Sequence, residues 1–182
     1  DFPEANDWRD SVAANEKTEW AFARLRYDGA FGGGFGGFRG RGGSRWTTDY
    51  PKADRQFVQG VRRLTRLDAR PVEQVVDPDT DELFDWPWVY AVEVGSWDFT
   101  PSQAQRMRDF LLKGGFLMVD DFHGTVEWET FLAGLHKILP GQSIEDLPDS
   151  DAIFHLITDV GERIQVPNVG YVNSHRTYER DG

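Results

Sequence analysis

The run from Lys113 to Trp128 (Lys-Gly-Gly-Phe-Leu-Met-Val-Asp-Asp-Phe-His-Gly-Thr-Val-Glu-Trp) constrains this chain more than any other stretch. Gly114-Gly115 can end a helix, because glycine takes left-handed backbone angles without steric penalty. Phe116 to Val119 is a short apolar run without alternation, the pattern of a strand buried on both faces of a sheet. Asp120, Asp121, His123 and Gly124 then make a polar turn, and a helical pattern follows. Strand, turn and helix in that order form the unit of an α/β fold, in which ligands bind beyond the carboxyl ends of strands. Asp120, Asp121 and His123 therefore stand where a site is expected.

The remaining pattern fits that unit. Residues 1–18 are polar and acidic, with Trp8 as the one large anchor, and read as an irregular arm. Trp20 to Tyr27 alternates in part and reads as the first strand. Residues 29–45 are so rich in glycine that ordering them is entropically expensive, so a mobile loop is expected. A helix is expected from Pro51, with Phe57, Val58, Val61, Leu64 and Leu67 on one face. Strands are expected over Pro71–Val76 and Trp88–Val94. Thr100-Pro101-Ser102-Gln103 has the form of a capping box for a helix to about Lys113. A last helix spans about Val126 to Ile138 and stops at Pro140-Gly141; Ile144–Leu147, Ile153–Ile157, Ile164–Val166 and Tyr171-Val172 suggest short strands. Strands alternating with helices imply right-handed crossovers and a mostly parallel sheet with helices on both faces. Residues 19–182 form one domain in this reading, and its strand ends bring Tyr27-Asp28, Asp77, Glu93 and Asp120-Asp121 to one edge.

Composition narrows the function classes. A net charge of -11 opposes general binding to nucleic acid or anionic membrane, since phosphate contacts need a basic face. The absence of cysteine removes disulfides, thiolate metal sites and cysteine nucleophiles. No apolar run approaches the ~20 residues that span a bilayer, so no membrane span is expected. The start at Asp1 rather than Met reads as a processed or trimmed end.

Adjacent carboxylates with an imidazole can hold a divalent metal or work as a general acid/base pair. Asp120, Asp121 and His123 are the candidates for both, with Glu127 one helical turn on. They can equally serve as loop and helix caps. Asp49, Tyr50, Asp54 and Glu93 are further pocket candidates at the same edge, Trp97 is a candidate ligand stack, and His155 and His175 remain open. His136 reads as structural. Asp77, Asp79 and Asp81 open like a calcium loop, but Glu82 and Trp88 stand where its Gly and Glu belong. No Gly-Lys-Ser/Thr and no Gly-x-Ser-x-Gly occurs. The Phe/Gly/Arg stretch has only Arg39, Arg41 and Arg45 as cations, too few for a nucleic-acid arm on an acidic protein.

Four motifs together resemble a bacterial domain-of-unknown-function family. They are Trp20 to Leu25, Asp49-Tyr50-Pro51, Gly60 to Thr65, and Gly114 to Gly124. That family is placed among the class I glutamine amidotransferase-like folds, and its members are often expected to be exported and to continue past the equivalent of Gly182. The resemblance implies a flavodoxin-like three-layer sandwich and a periplasmic or cell-envelope location, with the cytoplasm as alternative. True amidotransferases carry a Cys at the strand-to-helix elbow. Here the elbow is Asp121-Phe122-His123-Gly124, so that route to glutamine hydrolysis is closed. The His-Gly elbow is also similar to the trehalose-utilisation branch, an analogy toward carbohydrate chemistry. The expected function is a pocket for a small molecule at the carboxyl edge, hydrolytic if catalytic, with a divalent metal as the candidate cofactor. The alternative is a non-catalytic module that binds or assembles with envelope proteins.

Overall fold

The computed structural model describes residues 18–29 and 45–157. The expectations for the amino-terminal arm, the glycine-rich loop, Ile164–Val166, Tyr171-Val172 and His175 lie outside the described residues, apart from Thr18, Gly29 and Arg45 at their borders. In chain order the elements are β1 (Ala23–Leu25), β2 (Asp28–Gly29), α1 (Lys52–Leu64), β3 (Gln74–Val76), β4 (Trp88–Val92), β5 (Trp97–Asp98), α2 (Pro101–Leu112), β6 (Phe116–Asp120) and α3 (Gly124–Ile138). Four strands form a parallel sheet in the order β3-β1-β4-β6, while β2 and β5 pair antiparallel beside it. This α/β arrangement is compatible with a flavodoxin-like sandwich, whose switch point lies between β1 and β4.

Crossover handedness assigns the layers. The connection from β1 to β3 and that from β4 to β6 run in opposite directions along the sheet, so right-handed crossovers place α1 and α2 on opposite faces. Side chains agree. Arg24 of β1 points to Asp54 of α1, whereas Ala23 and Leu25 join a core with Met107 and Phe110 of α2. α3 packs beside α2 on that second face, which holds most of the buried apolar residues. Thr100 and Gln103 close the expected capping box at the start of α2, with bonds of 3.2 and 3.0 Å.

Two expectations are corrected. α1 does not bury the face from Phe57 to Leu67: Phe57 is 44% and Leu64 71% exposed, and the buried residues are Asp54 and Val58. A buried Arg24 needs a counter-charge, and drawing Asp54 inward turns the apolar row aside. Ile153–Ile157 is no strand. A 3-10 turn spans Ala152–His155, capped by the Asp151 carboxylate on the Ile153 amide, and Ile144–Leu147 has no regular structure. Among the described residues no helix is long and apolar enough to cross a membrane.

Candidate functional site

The carboxyl edge is built around two tight turns. At the end of β4, Glu93 adopts left-handed angles (φ 54°). Its carbonyl accepts from the Tyr27 hydroxyl at 2.9 Å, the Ser96 hydroxyl at 2.9 Å and the Ser96 amide at 3.0 Å. Burial pushes the Tyr27 hydroxyl up to about 12, so it stays a donor at any ordinary pH. At the end of β6 the Asp121 backbone is also left-handed (φ 60°), and the Asp49 backbone before α1 is too (φ 57°). Side-chained residues are uncommon there, and Asp tolerates it better than Glu.

Gly95 lets α3 approach this edge. A Cβ on Gly95 would stand 2.4 Å from the Cβ of Glu127, so the first turn of α3 rests directly on residues 94–96. Glu127 thereby reaches back over the turn. One carboxylate oxygen accepts from the His123 amide at 2.7 Å and lies 3.7 Å from His123 Nδ1. The other lies 3.5 Å from Arg45 Nη1, which also meets Glu93 at 3.1 Å. On the far side of the imidazole, His123 Nε2 stands 3.3 Å from Asp121 Oδ1. The imidazole is thus bracketed by two carboxylates. Burial raises the Asp121 carboxyl above its ordinary range; His123 pulls it down, while Asp120, Asp49 and Glu127 push it further up.

The other candidates divide. Asp120 accepts from the Tyr90 hydroxyl at 3.2 Å and from the Asp121 amide at 2.8 Å, so it serves the loop. Asp49 is exposed and close enough to act on the charge of Asp121. Asp54 is not at an open edge. It is fully buried and forked to Arg24, whose Nη1 also donates to the carbonyls of Trp46 at 2.8 Å and Thr48 at 3.2 Å. The Tyr50 ring flanks that guanidinium, 5.8 Å from it. Trp97 is 1% exposed, stacked on Phe131 and donating to its carbonyl at 3.3 Å, so it is core rather than a surface stack. His155 meets the Asp149 carbonyl at 2.9 Å within its own loop. The acidic turn after β3 is engaged as well. Asp77 meets Arg26, Asp79 accepts from Gln103 at 2.7 Å, and Asp81 meets Arg106 at 2.8 Å. Among the described residues no three His, Asp or Glu side chains gather so as to hold a metal ion.

Arg45 reads in the sequence as a cation of the Phe/Gly/Arg stretch and Tyr90 as a core aromatic; nothing local marks either as a partner of the edge carboxylates. Arg24 carried a signal that was open to use: a lone charge inside the apolar Ala21-Phe22-Ala23-Arg24-Leu25 run demands a buried acid.

Residues 21–180 match the family described as Domain of unknown function (DUF4159). Comparison with the curated proteins finds no match.

Proposed function

The chain belongs to the DUF4159 family, and we propose that its carboxyl edge binds a small molecule and moves protons through the Asp121–His123 pair. The bracketed imidazole carries this reading, with Asp121 at 3.3 Å on Nε2 and Glu127 at 3.7 Å on Nδ1. A carboxylate beside one ring nitrogen fixes the orientation of the ring and the nitrogen it presents to a substrate. The reaction class that fits is hydrolysis, with His123 or Asp121 withdrawing the proton of an attacking water. The amidotransferase-like scaffold, without its cysteine, and an exported or envelope location belong to the same proposal.

Chromogenic esters, phosphomonoesters and glycosides, assayed across the neutral pH range, test it. Asp121→Asn and His123→Gln should each lower kcat/KM by about 10² to 10⁴ with the far-UV spectrum unchanged, the usual range for one acid/base group. Turnover that survives both substitutions undiminished overturns the assignment. The engagement of Glu93, Glu127 and Asp120 by Arg45, Tyr90 and loop amides favours a second reading, a binding or assembly module without chemistry. In that case wild type turns over none of the three substrate classes, and Asp121→Asn changes melting temperature alone.

A further inference from the structure

The apolar row that α1 leaves uncovered runs into a cluster of unanswered cations, and we propose that this corner of the fold docks on an anionic lipid bilayer. Arg62, Arg63 and Arg66 are all exposed, and no acidic residue stands between Val61 and Leu67. The chain has 31 Asp and Glu against 20 Lys and Arg, so carboxylates are plentiful and neighbouring arginines without one are the exception. Among the described residues every other arginine bonds a carboxylate, carbonyl or amide oxygen. The guanidinium groups of Arg62, Arg63 and Arg66 hold none. The adjacent acids do not answer them. Glu19 accepts from the Asp68 amide at 3.1 Å, and the Asp68 carboxylate makes no ion pair. Beside the arginines Leu64 is 71% and Leu67 42% exposed, with Phe57 two helical turns earlier at 44%.

Both halves of the patch suit a bilayer. Guanidinium groups fork onto phosphate headgroups, and leucine and phenylalanine enter the acyl boundary, the pattern of helices that lie in a membrane interface. The overall charge of -11 opposes such a surface only weakly at a distance, because salt screens exposed charges more than about 8 to 10 Å apart. The local face decides instead. Other occupants use less of it. A nucleic acid engages the arginines but leaves Leu64 and Leu67 in water. A symmetric dimer centred on the patch brings one arginine cluster toward the other, and like charges opposed across an interface are penalised. α1 starts at the carboxyl edge of the sheet and ends at its amino end, so docking through its last turn leaves Asp121 and His123 at the opposite end. The inference goes beyond the proposed chemistry and stands without it.

Flotation of the full chain with vesicles tests it, using phosphatidylcholine alone and phosphatidylcholine with an equal part of phosphatidylglycerol. The chain should float with the mixed vesicles and not with the neutral ones, and rising salt should release it. Arg63→Gln should weaken binding about fivefold, and Arg62→Gln/Arg63→Gln/Arg66→Gln on the order of a hundredfold. Leu64→Ser should weaken it about tenfold through lost apolar burial. The substituted side chains are exposed, so melting temperature should hold in every variant. No flotation with the mixed vesicles overturns the proposal, and so does equal binding by the triple variant. If Leu64→Ser binds as wild type does, and single-stranded DNA competes as well as the vesicles, the patch answers to polyanions in general and the bilayer assignment falls. Self-association that the triple variant abolishes, in place of flotation, assigns the patch to a second copy and refutes it equally.

Discussion

Removing Asp54 is the sharpest test of how the sheet holds α1. Arg24 and Asp54 are 1% and 0% exposed, and they are joined by two bonds, one of 2.8 Å from Nε. Asp54→Ala strands a guanidinium in the core, a loss of about 3 to 5 kcal/mol for a broken buried pair. At about 2 to 4 °C per kcal/mol for a chain of this length, Tm should fall by roughly 6 to 20 °C. Arg24→Met alone leaves the carboxylate instead. Burial already pushes Asp54 above its ordinary value of 3.8, with Arg24 pulling it back, and without Arg24 the push is unopposed. A raised folded value adds stability below the unfolded value and withdraws it as pH rises through the folded one. Arg24→Met should therefore lose less at about pH 5 than at about pH 8, and Asp54→Ala should show no such relief. The double variant Arg24→Met/Asp54→Leu should recover most of the loss. Its recovery is incomplete, because the Trp46 and Thr48 carbonyls lose their donor at about 1 kcal/mol each. Urea unfolding of wild type, Arg24→Met, Asp54→Leu and the double variant gives the cycle. A single-variant loss under about 1 kcal/mol, or a double variant equal to the sum of the singles, refutes the account.

Gly134→Ala gains about 0.8 kcal/mol of helix propensity, but its Cβ falls 2.2 Å from the buried Trp97 Nε1, so overpacking of about 1 to 3 kcal/mol should win and lower Tm. A rise in Tm would contradict that packing. Gly95→Ala drives a methyl into Glu127 and should move the His123 amide and imidazole resonances while leaving those of β3 in place; unchanged His123 signals would count against the contact. Asp121→Asn removes a carboxyl whose raised value withdraws stability as pH climbs above 3.8. The variant should melt above wild type at neutral pH, with the gain fading in acid. A lower neutral Tm would show that Asp121 is a structural ion-pair member instead.

The strand–turn–helix units were legible because each was marked locally: the glycines before β6, the capping box of α2, and the apolar run of β6. Edge placement of Glu93 and Asp121 followed from parallel pairing alone. What local pattern could not supply was which polar group meets which. Asp54 resembled a rim acid from its place after Pro51, and only the sheet reveals that Arg24, 30 residues earlier, consumes it. Trp97 likewise stood just past a strand end, where a ligand stack is plausible, but a glycine in α3 admits its ring to the core. Arg45 joins Glu93 and Glu127 across 48 and 82 residues, a pairing without periodicity to announce it.

The three left-handed acids have a consequence for the history of such a protein. Glycine at 49, 93 or 121 would relax the backbone, by an order of 1 kcal/mol or more each. A lineage screened for thermal robustness alone would drift toward glycine at all three and surrender its carboxylates there. Variants raised by heat challenge should therefore lose charge at these positions first, and a population that keeps them is being held by something other than folding.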